Sequence, residues 1–218
     1  MIRVVVLALF ATFLFPSALE AETRSYAFEV LRNGRPIGNH IAVVEKKDGG
    51  TVVRVAVDLA VTFGPITLYR YKHRSTELWQ DGRLVRIDAE TDDDGTKLWL
   101  RAWAEDGRIV VDGPEGRQEA PSGTLPSSYW NPGLRTAGAW IETHWGILAP
   151  IKTTREAPVT VRLPGREVQA IPHRIASEKA EVTPLYTEEG EWVGLTFDLW
   201  GARFDYVPKA PSTVTVAR

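Results

Sequence analysis

Residues 53–63 read VRVAVDLAVTF. Val53, Val55, Val57, Leu59, Val61 and Phe63 hold every odd position, while Arg54, Asp58 and Thr62 mark the even ones. Successive side chains of a strand point to opposite faces, so this alternation predicts a strand whose odd set is buried and whose polar set meets water. Similar alternation runs through Tyr26-Phe28-Val30, Leu98-Leu100-Ala102 and Val193-Leu195-Phe197-Leu199, the last continuing past Gly201 to Phe204 and Tyr206.

Between these runs stand turn signals: Asn33-Gly34, Asp48-Gly49-Gly50, Asp81-Gly82, Asp94-Gly95, Asp106-Gly107, Pro164-Gly165 and Glu189-Gly190. Asn-Gly and Asp-Gly suit tight hairpins, because both central residues must reach positive φ. From 81 to 107 the turns recur about every 12 residues, the spacing of an antiparallel meander. One segment has another period. Ala137, Trp140, Ile141, His144, Trp145 and Leu148 fall three and four apart, which predicts one short helix capped by Thr136 and stopped by Pro150. Gly138 and Gly146 count against that helix, at about 1 kcal/mol each. The expected fold is mainly β: a long curved antiparallel sheet, or an open, flattened barrel built as a meander of hairpins, with one short helix packed against it.

The N-terminus speaks to compartment. Arg3 precedes an apolar run from Val4 to Phe15 broken only by Thr12, and "SALEA" ends at Ala21. This predicts a secretory signal peptide over 1–21 and a single β-rich domain over 22–218, exported to the periplasm or beyond and soluble after cleavage. The run is short of the roughly 20 apolar residues of a spanning helix. Cys is absent, which excludes a lipid-anchored lipoprotein, a disulfide, a zinc thiolate and a cysteine nucleophile. The formal net charge of −2 argues against nucleic acid as a partner.

Few chemical motifs emerge. Glu90, Asp92, Asp94 and Gly95 match the opening of a calcium loop, but Arg101 stands where a bidentate Glu belongs, so a hairpin end with a solvated acidic face is the better account. His40, His73, His144 and His173 show no metal-ligand spacing, and nucleophile elbows, phosphate loops and dinucleotide fingerprints are lacking. No metal or cofactor is expected. One strand is different in kind. In YRYKHRSTELW, residues 69–79, the side chains of Tyr69, Tyr71, His73, Ser75, Glu77 and Trp79 share a face. His73 and Glu77 suit either an acid/base pair or ligand contacts between aromatic walls; the structural alternative is a polar cross-strand cluster satisfied internally. The eight tryptophans raise a sugar-stacking role, against which stands their value as core.

SGTLPSSYWNPG, residues 122–133, sets Tyr129, Trp130 and Asn131 among turn formers. Pro132 pushes Asn131 away from helical angles. Trp130 is expected to anchor the helix entry on the sheet while Asn131 bonds the turn, with a ligand lip as the second reading.

FEVLRNGRPIGNH (28–40), YRYKHRSTELWQDGRLVRIDAETDDDG (69–95), SYWNP (128–132) and GEWVGLTFDLWGARFDYV (190–207) resemble, in order, the domain-of-unknown-function 6134 family of exported proteobacterial proteins. The resemblance implies no activity, cofactor or catalytic residue. It departs from the family pattern in lacking a Cys shortly before YWNP, so a thiol role would not carry over. The pattern is also similar to periplasmic β proteins with a curved sheet, among them lipoprotein carriers and envelope-integrity proteins, an analogy of fold alone.

These readings favour a non-enzymatic periplasmic protein that binds a hydrophobic or amphipathic envelope component, a lipid or a glycan. Tyr71, His73, Glu77 and Trp79 are the candidate contacts inside, with Tyr129, Trp130 and Asn131 at the lip; no residue is nominated as catalytic. The alternatives are a hydrolase using His73 with Glu77, and a scaffold acting through a sheet edge.

Overall fold

The computed structural model describes residues 22–47 and 49–210; the signal peptide expected over 1–21 lies outside them. The strands are β1 (Glu22–Arg32), β2 (Arg35–Lys47), β3 (Gly50–Phe63), β4 (Ile66–Gln80), β5 (Arg83–Asp93), β6 (Thr96–Glu105), β7 (Arg108–Gly113) and β8 (Gly116–Pro121). There follow β9 (Leu125–Pro126), β10 (Ala139–Glu142), β11 (Ile147–Pro150), β12 (Lys152–Arg155) and β13 (Val159–Leu163). The chain ends with β14 (Arg166–Ala176), β15 (Glu181–Tyr186), β16 (Trp192–Leu199) and β17 (Ala202–Pro208). No helix among the described residues is long and apolar enough to cross a membrane.

Fourteen strands form one antiparallel sheet in the order β12-β14-β15-β16-β17-β1-β2-β3-β4-β5-β6-β7-β8, with β13 also on β14. Its two ends do not pair, so the sheet is an open barrel. β1 joins the halves: it pairs with β2 on one side and β17 on the other. A small sheet, β11-β10-β9, lies over the β7–β8 end.

The hairpins follow from their turn residues. Asn33, Asp81, Asp94 and Asp106 have φ of 49°, 50°, 49° and 49°, each followed by a left-handed Gly, the geometry of the primed two-residue turns that match strand twist. A fifth hairpin breaks the rule. Between β16 and β17 the left-handed residue is Trp200, at φ 51°. Bulky residues pay roughly 1–2 kcal/mol for that conformation.

Period-two burial holds along β3, where Val53, Val55 and Val57 are buried against Tyr26, Phe28, Ile87, Leu100 and Leu195 in one core. It fails at the far end. The register shifts between Val61 and Thr62, and Phe63 is 75% exposed.

The predicted helix needs correction. Residues 137–148 form the β10–β11 hairpin, with Gly146 at φ +69°, a left-handed angle no helix accommodates. A Cβ there would also meet the Trp99 carbonyl oxygen at 2.4 Å. The apolar spacing that suggested a helix arises because Trp140 and Ile141 are both buried, one on each side of a short strand sandwiched between layers. Among the described residues the one helical turn is a 3-10 helix at Pro132–Thr136, just upstream. Its cap is Asn131, not Thr136: Asn131 is extended (φ −89°, ψ 112°), as Pro132 requires, and its side chain accepts from the Gly133 N–H.

Candidate functional site

The inner face of β4 changes character along its length. At the β5 turn end it is solid core. Glu77 is fully buried; its Oε2 accepts from Trp79 Nε1 at 2.8 Å and from Trp130 Nε1 at 2.9 Å. The two indoles meet edge to face at 5.3 Å. Among the described residues Glu77 Oε1 meets no hydrogen-bond partner within ordinary geometry, nor does the Ser128 hydroxyl beside it. Burial pushes the Glu77 carboxyl above the ordinary carboxylate range, with Ser128, Trp130 and Trp79 opposing.

Toward the other end the core opens. A cavity of about 450 Å³ lies between the sheet and the loops at 127–129 and 142–145. Its walls are mostly apolar and aromatic, including Val57, Leu59, Leu195, Phe197 and Tyr206. Tyr71 and His73 line it from β4, and Tyr129 from the loop.

The polar groups in this cavity form a chain. Tyr71 Oη and His144 Nδ1 lie 2.8 Å apart with their rings stacked. His144 Nε2 stands 3.6 Å from Asp93 Oδ2, and the Tyr69 hydroxyl donates to Asp93 Oδ1 at 2.5 Å. Burial raises Tyr71 well above the usual phenol range, so it keeps its proton. Burial lowers His144, against the pull of Asp93. On the loop side the Ser127 hydroxyl and the His144 N–H both donate to Glu142 Oε1, and burial raises Glu142.

Two further histidines are neutral for the same reason. His73 is held at about 3 by burial, then by His144 and Arg74, and its Nδ1 pairs with the Thr91 hydroxyl at 2.9 Å. His40, also about 3, is packed among Trp192, Tyr206 and Phe28, and neither ring nitrogen has a partner among the described residues. Chemically the cavity offers apolar walls, tyrosine hydroxyls and neutral histidines, with the Asp93 carboxylate held by the Tyr69 hydroxyl. The cation beside it, Lys179, is paired with Glu115. Among the described residues no three His, Asp or Glu gather as a metal site.

The candidates named from sequence therefore divide. Tyr71, His73 and Tyr129 line the cavity. Glu77, Trp79 and Trp130 form a buried cluster away from it, and Asn131 caps the adjoining 3-10 turn. No hydrogen bond joins His73 to Glu77: four residues along one strand they are roughly 13 Å apart, each committed to other partners. Sequence reading missed Asp93, His144, Glu142 and His40. Asp93 was legible in part: the Asp81-Gly82 turn folds β5 back on β4 and brings Asp93 near Tyr71, and the register shift at Leu78/Trp79 sets the two directly opposite. His144 arrives 73 residues after its partner Tyr71, and no local spacing announces it.

Tyr129 explains how one loop serves both clusters. Its φ is +63°, which sends Tyr129 to the cavity and Trp130 to Glu77. Its carbonyl accepts from the Tyr186 hydroxyl at 2.8 Å, which helps hold that conformation.

A curved antiparallel sheet, open along its edges and wrapped round an aromatic cavity, defines a β-barrel-like protein. The chain belongs to the family described as Domain of unknown function (DUF6134), matched over residues 28–209. A comparison with curated proteins found no match. Among solved structures it is similar to a beta-barrel-like protein of domain of unknown function DUF1849 from Brucella abortus. There the identity is 13%, the TM-score 0.59, and the alignment covers 87% of this chain and 95% of the other. At that identity the likeness is one of fold.

Proposed function

We propose that this is an exported, non-enzymatic protein that binds a hydrophobic or amphipathic component of the cell envelope in the cavity between the sheet and the 127–129 and 142–145 loops. The observation that carries this reading is the cavity itself. Its volume, about 450 Å³, falls within the roughly 300–1,000 Å³ of ligand sites, and an apolar wall with a few convergent polar groups is their usual lining. Besides tyrosine hydroxyls and neutral histidines, the wall's charged groups are already engaged, Asp93 by Tyr69, Asp198 by Arg203, Glu181 by Arg174 and Lys179 by Glu115. This favours an uncharged buried part of the ligand, an acyl or isoprenoid chain carrying at most a hydroxyl or carbonyl. Binding rather than catalysis is supported by the protonation states. Tyr71, raised by burial, is a donor and a poor nucleophile, and His73 and Glu77 share no proton path.

Native mass spectrometry of protein purified from the periplasm tests this. The expected result is a lipid retained at one per chain. Returning it to stripped protein at about 100 times its Kd stabilises the fold by about 2.7 kcal/mol. Protein that arrives empty, and that no lipid or glycan stabilises, overturns the reading.

A further inference from the structure

We propose that the tips of the β3–β4 and β16–β17 hairpins form a lip that inserts into the surface of an anionic lipid bilayer, setting the cavity mouth against the membrane. This rests on the ligand-binding reading above and names where the ligand is taken up or released. Phe63, Trp200, Leu68 and Ile66 are 75%, 74%, 60% and 58% exposed, whereas every other large apolar side chain described is at most 41% exposed. All four belong to these two tips. Exposed large apolar groups scattered singly need no explanation; a contiguous set at one end does.

The tips are contiguous with each other and with the cavity. Tyr69 and Trp200 meet edge to face at 5.9 Å, and both line the cavity together with Leu199. The β3–β4 tip also projects. β2 pairs with β3 only as far as Leu59, and β5 pairs with β4 only from Tyr71 onward. Residues 60–69 thus have only each other as strand neighbours.

Trp200 is an independent sign. It holds a left-handed turn position that Asn or Asp fills in the Asn33, Asp81, Asp94 and Asp106 turns. Folding alone favours those residues, and the indole in their place is turned outward. Trp and Tyr are the side chains that settle at membrane interfaces, apolar in body with one polar handle. Charge points the same way. Arg32, Arg35 and Arg70, in or beside the strand ends flanking these tips, enter no ion pair among the described residues. Asp198 nearby is paired with Arg203 and Asp92 with Lys97, leaving Asp93, bonded to the Tyr69 hydroxyl, and the exposed Asp94 as the neighbouring acids against three arginines. Basic residues round an apolar tip suit anionic headgroups.

The test uses the chain from Glu22, which holds every described strand, so that the apolar run at 4–15 plays no part. Flotation with vesicles of phosphatidylethanolamine and phosphatidylglycerol is expected to carry it upward. Trp200→Asn, which relieves the turn, should melt no lower than the parent yet bind vesicles about tenfold more weakly, and Phe63→Ser with Ile66→Ser about a hundredfold. An apolar fluorescent probe such as N-phenyl-1-naphthylamine, measured without vesicles, reads the cavity separately, and the tip variants should keep it. Failure of the parent to float, or flotation undiminished in Trp200→Asn, overturns the lip while probe binding leaves the cavity standing. Failure of the probe alone overturns the cavity and leaves the lip. A dimer that Trp200→Asn converts to monomer, with flotation unchanged, assigns the tips to a second copy and also overturns the proposal.

Discussion

Replacing Glu77 by alanine removes the acceptor shared by two indoles. Trp79 Nε1 and Trp130 Nε1, at 2.8 and 2.9 Å from Oε2, would each lose that acceptor, Trp79 in the buried core and Trp130 half-buried at its edge. An orphaned buried donor costs about 1–3 kcal/mol, so the pair together with the lost packing comes to roughly 4 kcal/mol. That is a large share of the roughly 5–15 kcal/mol that holds a domain. Glutamine is the informative contrast. Its carbonyl still accepts both indoles, and its amide replaces the partnerless Oε1, with the Ser128 hydroxyl beside it as acceptor. The two variants also separate in pH. Because burial raises the folded carboxyl, the unfolded chain releases its proton first as pH climbs past about 4.5, the ordinary value. Between that and the higher folded value, wild-type stability falls by up to about 1.36 kcal/mol per pH unit from this group. Glutamine has no such slope, so Glu77→Gln should match wild type near pH 4 and gain on it toward neutrality. Urea titrations followed by tryptophan fluorescence from pH 4 to 8 measure the difference, in which every other titrating group cancels. A difference independent of pH would show that Glu77 is ionised in the fold and that the two indoles and Ser128 outweigh its burial. An alanine cost below about 1 kcal/mol would refute the anchor.

Three further outcomes are expected. His40→Leu replaces a ring with two unpartnered nitrogens in an aromatic cage, and should stabilise by about 1–2 kcal/mol at pH 7. His40 and His73 are both held at about 3, so the unfolded chain protonates first below about 6.5 and each costs stability as pH falls; His40→Leu should remove one of those two contributions, read by thermal melts from pH 7 to 4. Leu59→Trp fills the cavity from its β3 wall and should cut N-phenyl-1-naphthylamine binding at least tenfold with a melting temperature within a few degrees of wild type; undiminished binding would place the ligand elsewhere. Asn131→Ala removes the side-chain acceptor for the Gly133 N–H and should cost about 1 kcal/mol in chemical denaturation.

The meander was legible because its information is local. Asp81, Asp94 and Asp106 stand where positive φ is needed, and alternation such as Val53-Val55-Val57 assigns a face without knowledge of the partner strand. The β10–β11 segment was misread because a short strand buried on both sides has no period of its own. Two of its residues then fell by chance at helical spacing from neighbours. The candidate site was half legible for a related reason. Residues 69–79 share a face by strand geometry alone, but the point along that face where core gives way to cavity depends on what packs above it. The loops at 127–129 and 142–145 decide that, and they reach β4 from more than 50 residues away.

The positions where local rules fail are the informative ones. A fold is specified when turn chemistry, pattern and packing agree, and departures tend to mark function. Phe63 obeys the alternation of VRVAVDLAVTF and is nonetheless 75% exposed; Trp200 takes a left-handed turn position that suits Asn; Tyr129 holds φ +63° at the cavity wall. None of the three is what folding stability alone would select. Tyr129 and Trp200 line the cavity, and Phe63 stands at the tip beyond it. β4 runs the same way, with Glu77 in solid core, His73 and Tyr71 on the cavity, and Leu68 and Ile66 in the open. A strand built only for stability would end where its neighbours end. This one carries its apolar pattern past the last pairing of β2 and β5, and that overhang ties a cavity fit for an apolar ligand to a surface fit for the membrane that would supply it.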